Sequence, residues 1–305
     1  MPPTRIVIEA GTHSPWVSRL LDGFGHQVIV ANPRKMRLIY LNDSKSDRVD
    51  AEYLARLGRL DPQLLSPIRH RKADTMAARA LLRSRDLLIR TRTNMISHVR
   101  GLVKITGGRV PGGWAPYFAN KAREHIPEEL KESLNPVLDQ IEQITDQIKA
   151  YEQRIEELAR ESYPETEVLT QINGVGTLTA LCFILTIEDP FRFRKSREVG
   201  SYIGLRPRQA DSGDRQPQLR ITKAGDAMLR KYLVQCANHI LGPHGKDSDL
   251  RAWGLKLAER GGKAAKKRAT IAVARKLAIL MHRLWITAEV YEPTGYEQQM
   301  AAMAA

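Results

Sequence analysis

The sequence predicts an α/β amino-terminal part followed by an all-α remainder, on three observations. Short β-branched apolar runs, RIVIEA and QVIVANP, flank a helical stretch, which is the strand–helix–strand order of a right-handed unit with parallel strands. From Ala73 onward apolar residues recur at helical spacing through two long segments. Residues 166–290 continue in helical mode, broken by connections rich in Gly, Pro and charge.

The elements follow in order. The first strand covers residues 5–10 and carries Glu9 near its end. Thr12, His13, Ser14 and Pro15 supply the cap and first turn of a helix through WVSRLLDGFG, closed by Gly23 and Gly25. The second strand stops at Pro33, and strands this apolar need helices on both faces. Ser44 or Ser46 caps the next helix, which buries Val49, Tyr53, Leu54 and Leu57 and ends at Gly58. A long basic helix spans Ala73 to Ile105, with Leu81, Leu82, Leu88, Ile89, Met95, Ile96, Val99 and Leu102 as apolar positions. GGRVPGGWAP, residues 107–116, is a loop. Val137, Ile141, Ile144, Ile148, Tyr151, Ile155 and Leu158 then step by four and three, the signature of a coiled-coil seam. Its partner is either the preceding basic helix or a second copy of the chain, and the polar surrounding faces favour the subunit contact. The expected divisions are 1–106, 107–165, 166–292 and a disordered tail, 293–305.

Charge narrows the function. The chain has 48 Lys and Arg against 34 Asp and Glu. Ten of the cations lie between Arg69 and Lys104 and eight between Arg260 and Arg283, including Lys266, Lys267 and Arg268. Such blocks suit a phosphate backbone, because each neutralised phosphate releases counterions; a solvated helix face is the plainer alternative. No run of eighteen apolar residues and no signal-peptide succession occurs, which argues against a membrane partner and for the cytoplasm. Cys182 and Cys236 are too few for a disulfide scaffold or a four-ligand zinc site and read as buried thiols.

Three constellations could carry chemistry. Asp47 and Asp50 stand three apart at a helix start, where the macrodipole alone accounts for two acids. Glu9, at the carboxyl end of a strand in an α/β unit, offers a third carboxylate at the edge where such folds bind ligands; three oxygen donors there suit Mg2+. INGVGTLTA, residues 172–180, places Gly174 and Gly176 in a tight turn opening on a helix, either a phosphate-binding helix-hairpin-helix-like element or an ordinary interhelical turn. RPRQADSGD, residues 206–214, sets Ser212 among Arg206, Arg208, Arg215, Arg220 and Lys223. A serine attacks phosphorus only with its hydroxyl activated and the phosphoryl charge held, and the same four residues, DSGD, also make a plain turn.

The succession VIVANP, KSDRVDAEYLARLG, basic helix, coiled coil, INGVGTLTA, FRFRKSREVGSYIGLRPRQADSGD, RITKAGDAMLRKYLVQCA and AAKKRATIAVARKLA resembles the DEDD-type insertion-sequence transposases, the group that includes bridge-RNA-guided recombinases and the pilin-gene invertase. The resemblance implies a RuvC-like, RNase H-type domain whose four acids hold Mg2+, two ions in an intact member, with Glu9, Asp47 and Asp50 as the second, third and fourth. It implies a mainly helical carboxyl-terminal transposase domain whose Ser212 forms a phosphoserine link to DNA, Ser201 being the alternative. Homo-oligomers joined through the coiled coil, DNA as partner and a structured guide RNA are implied as well. The family's first acid lies on an opening strand, and no Asp or Glu precedes Glu9; the resemblance therefore implies an N-terminally truncated domain. A nucleic-acid-binding remnant and a RuvC-like nuclease using water are the alternatives to a DNA transposase.

Overall fold

The computed structural model describes residues 2–36, 46–210, 212, 217, 219–259 and 261–295. Among the described residues the chain is mostly helical with one small sheet, and it divides into two compact units, Met1–Met76 and Ala77–Ala305. The expected tail lies, from residue 296, outside the described residues.

In the first unit β1 (Arg5–Glu9) pairs in parallel with β2 (Gln27–Ala31), from Arg5 opposite Gln27 to Glu9 opposite Ala31. The crossover is α1 (Ser14–Gly23). Ser14 fixes its entry: the hydroxyl accepts from the Gly11 N–H at 3.0 Å and donates to the Gly11 carbonyl at 2.8 Å. Ile68 adds an antiparallel bridge to Val30. The next helix, α2 (Asp47–Leu60), is capped by Ser46, whose hydroxyl accepts from the Val49 N–H at 3.3 Å; Ser44 lies outside the described residues. Ile29, Ala31, Met36, Leu54 and Leu65 form the small core, with Val7 and Leu57 packed against it.

Two expectations about α2 need correction. Gly58 does not end the helix, which continues to Leu60. A Cβ at Gly58 would fall 2.4 Å from Val7 Cγ2, so the glycine serves a close approach to β1, within a helix whose other contacts outweigh the propensity cost. Tyr53, expected in the core, is exposed.

The second unit is built around α3 (Ala73–Ile105), which enters it at Ala77, and α5 (Glu128–Ser162), joined through the loop 106–117 and α4 (Phe118–Arg123). Arg85 pairs with Glu152, and Arg92 Nη1 donates to Thr145 Oγ1 at 3.3 Å. Seven residues forward on α3 thus match seven back on α5, the register of an antiparallel hairpin. Ala78 and Leu82 share one cluster with Ile155 and Ala159, while Ile96, Val99 and Val103 share another with Leu134, Leu138 and Ile141. The polar pairs form a waist between these two apolar clusters. The seam expected to join subunits is therefore covered by α3 of the same chain. A heptad pattern on one helix marks an apolar stripe but does not say whose helix covers it.

The basic helix is corrected in part by the same contacts. Arg79 and Arg92 are buried, and Arg85 is largely so. Burial holds the Arg92 guanidinium below its ordinary pKa, opposed by Glu152 and aided by Arg85. These three arginines face protein, so the basic block is less of a phosphate footprint than its charge count suggests.

The remaining helices, α6 (Glu165–Thr170), α7 (Thr177–Ile187), α8 (Arg197–Tyr202), α9 (Ala227–Leu241), α10 (Asp249–Ala258) and α11 (Gly262–Thr287), pack into one large core. Apolar all round, α7 is buried from Thr179 to Ile187, as such a helix must be. Cys182 and Cys236 are buried thiols outside any disulfide, as expected. No helix among the described residues is long and apolar enough to cross a membrane.

Candidate functional site

The carboxylates belong to the first unit. Glu9 ends β1 and is exposed. Asp47 and Asp50 occupy the first turn of α2, Asp47 exposed and Asp50 half-buried. Gly58, late in α2, abuts Val7, and its carbonyl accepts from Arg5 Nη1 at 3.0 Å; Leu54, one turn earlier, clusters with Ile29 and Ala31. The helix therefore runs back along the sheet and aims its first turn at the carboxyl edge, where Glu9 stands. Among the described residues no group of three or more His, Cys, Asp or Glu is close enough to hold a metal ion, so Asp47 and Asp50 are a pair to which Glu9 is not drawn in. Their donor chemistry, carboxylate oxygen only, fits a hard cation such as Mg2+.

The serine loop belongs to the second unit. Its base is a two-stranded ribbon: the Arg208 N–H donates to the Arg220 carbonyl at 2.9 Å, the Thr222 N–H to the Arg206 carbonyl at 2.9 Å and the Lys223 N–H to the Gly204 carbonyl at 3.1 Å. Two glycines make this closure possible. Gly204 has φ +79°, and a Cβ there would lie 2.1 Å from the Ala224 carbonyl oxygen; Gly225 has φ +71°, and a Cβ would lie 2.2 Å from that of Tyr202. Arg230 of α9 ties both strands, donating to the carbonyls of Ile203 at 3.0 Å and Ala224 at 2.6 Å. Arg206, Arg208, Arg220 and Lys223 are thus gathered on one ribbon with exposed side chains. Lys223 is held at φ +54°, a conformation that costs a non-glycine residue on the order of 1 kcal/mol. Ser212 is exposed; Asp211, Gly213 and Arg215 lie outside the described residues. Ser201 is exposed on α8.

Gly174 and Gly176 form the turn between α6 and α7. Gly174, at φ +89°, faces α9, where a Cβ would meet His239 at 3.0 Å and Ile240 at 3.2 Å. Close packing accounts for this glycine. Gly176 is exposed and stands before the first turn of α7. Lys266, Lys267 and Arg268 are exposed in the first two turns of α11, next to a helix end that is already positive.

Residue patterns alone gave no weight to Arg230 or to Asp226. Asp226 caps α9, accepting from the Leu229 N–H at 2.8 Å, and pairs with Arg79. The signal was legible in principle, since an Asp before AMLRKYL is a cap, but its distant partner was not.

Comparison with known proteins places these features in a family. The DEDD transposase model of IS110 matches residues 2–107, and the transposase model of the IS116/IS110/IS902 family matches residues 166–250. The chain is 29% identical over 295 residues to the transposase for insertion sequence element IS1111A of Coxiella burnetii, covering 94% of this chain and 79% of that protein. It is 29% identical over 240 residues to the transposase for insertion sequence element IS1328 of Yersinia enterocolitica, covering 77% of this chain and 70% of that protein. Both matched models fall on the parts built above, the carboxylate-bearing unit and the helical core with its serine loop, and the chain belongs to the IS110 family of DEDD-type transposases.

Proposed function

We propose that this transposase cleaves and rejoins DNA strands through Ser212, in a reaction dependent on a divalent cation, Mg2+ by preference, for which Asp47 and Asp50 of the first unit are the donors. The observation that carries the reading is the ribbon 204–208 with 220–224, which gathers four exposed cations on the two strands that flank the segment carrying Ser212. In the first step Ser212 Oγ bonds to phosphorus, the bond from phosphorus to one deoxyribose oxygen breaks, and the hydroxyl proton passes to that leaving oxygen. Attack of a strand hydroxyl on the phosphoserine reverses this balance and rejoins DNA. Arg206, Arg208 and Lys223 hold the phosphoryl charge, the larger part of what such a step needs. A divalent cation, when bound by Asp47 and Asp50, would supply Lewis-acid stabilisation of phosphoryl charge. Gly176 offers free N–H groups of α7, and Lys266, Lys267 and Arg268 offer charge, to the backbone beyond.

The test is a denaturing gel with labelled DNA from the ends of an element. Covalent adducts should form with the wild type and with Ser201→Ala, and vanish with Ser212→Ala. Adducts persisting in Ser212→Ala overturn the nucleophile; cleavage without adducts, lost in Asp50→Asn, points to water instead, and binding without cleavage to a remnant. A second copy of the chain and a structured guide RNA belong to the same reading, supported by the family motifs and the exposed cations. Sedimentation and sequencing of co-purified RNA test them.

A further inference from the structure

The loop between α3 and α4 has no role in the reading above. It carries two large rings into water, Trp114 at 72% exposure and Tyr117 at 57%. Their centroids are 5.8 Å apart and the rings are tilted by 57°. Neighbouring residues hold the loop firmly. Val110 and Phe118, on either side of the pair, are buried with Val99, Val103 and Ile126; the Arg100 guanidinium lies 5.1 Å over the Phe118 ring, and Arg100 Nη2 donates to the Pro111 carbonyl at 3.5 Å. Folding thus fixes both ends of the loop and still leaves the rings outside, although covering them would be favourable. The surrounding charge is positive. Lys104, Arg109 and Lys121 are exposed, and Lys121 Nζ would lie 3.5 Å from a Cβ at Gly113, next to Trp114.

We propose that this hairpin tip is a stacking platform for unpaired nucleotides of single-stranded DNA. Trp114 and Tyr117 take base faces, while Arg109 and Lys121 take phosphates. Aromatic faces interleaved with cations are what sequence-tolerant single-strand binding requires, because every base has a face to stack. A duplex keeps those faces inside its own stack, so the rings select unpaired strand. An apolar protein partner would need the ring area but not the three cations beside it. The choice of DNA rests on the strand cleavage proposed above, which frees unpaired ends; the platform itself does not depend on Ser212.

Fluorescence anisotropy of the full chain with a labelled unpaired oligodeoxynucleotide, and with its duplex, tests the proposal. Trp114→Ala should weaken single-strand binding by about five- to a hundredfold and leave duplex binding and the melting temperature unchanged. Trp114→Phe should restore most of the loss and Trp114→Leu should not, which separates stacking from plain apolar contact. Arg109→Ala and Lys121→Ala should each lower the log–log salt slope by about 0.7. Unchanged binding in Trp114→Ala, equal loss for duplex, or Leu performing as well as Phe would each overturn the platform, and RNA bound more tightly than DNA with the same Trp114 dependence would overturn the choice of strand. The adduct assay on the same variants distinguishes the two readings: adducts with Trp114-independent binding remove the platform alone, and Trp114-dependent binding without adducts from any variant removes the serine mechanism alone.

Discussion

Arg79 and Asp226 form a buried ion pair, with side chains 4% and 12% exposed, between α3 and the cap of α9. Each has a further partner: Arg79 Nη1 donates to Thr186 Oγ1 at 2.7 Å, and the other carboxylate oxygen of Asp226 accepts from the Leu229 N–H at 2.8 Å. Asp226 directly follows Gly225 of the ribbon. The pair therefore anchors the frame of the serine loop to the hairpin.

Breaking that pair should be costly. Arg79→Met or Asp226→Asn leaves a buried charge without its partner, worth about 3–5 kcal/mol, and the Asn variant keeps a competent cap. In urea unfolding the double variant should lose clearly less than the sum of the singles. Strictly additive losses would show that the two residues do not act together.

Gly58→Ala should destabilise the first unit although alanine is the better helix former by about 1 kcal/mol, because the new methyl group meets Val7 at 2.4 Å. Val7→Ala in the same chain should return part of the loss. Hydrogen exchange at β1 and β2 reads the effect locally; slower exchange in Gly58→Ala would contradict the packing argument.

Lys266, Lys267 and Arg268 are expected to contact phosphates. Replacing all three by alanine should lower the log–log salt slope of duplex binding by about 2 to 3, with little change in melting temperature, since none is buried. An unchanged slope assigns them to a solvated helix face.

His282 should make stability depend on acid. Its ring is fully buried, edge-on to Phe193, with Nε2 at 2.8 Å from the Pro190 carbonyl. Burial lowers its pKa in the folded chain below the ordinary 6.5, opposed by the bond to Pro190. The unfolded chain then takes the proton first, so this stability is complete above about pH 6.5 and is lost on acidification below it. Burial likewise lowers His70, with Arg19 and Arg71 adding to the shift. Melting curves at about pH 8 and about pH 5 should differ less in His282→Phe than in the wild type; an equal difference would acquit His282.

Much of the chain was legible before folding. The parallel pair β1–β2 followed from two β-branched runs around one helix, and Ser46, Asp47 and Asp50 were marked by their place at a helix start. The serine loop was different. DSGD reads as a turn, and only resemblance raised Ser212 above it, because the ribbon that frames it joins residues such as Pro207 and Ile221, which are distant in the chain.

What the sequence determined by itself is local: which stretches are strand or helix, which faces are apolar, where helices begin, and that the chain carries an excess of cations. What only the tertiary structure decided is who meets whom. Arg79 and Lys266 both sit in basic helices, yet one is buried against an acid 147 residues away and the other is in water. The heptad stripe of α5 found its cover in α3, and Gly58 found Val7. Periodicity reports the angle of a side chain around its own axis, whereas burial and pairing depend on elements brought near by topology, and no local pattern encodes that distance.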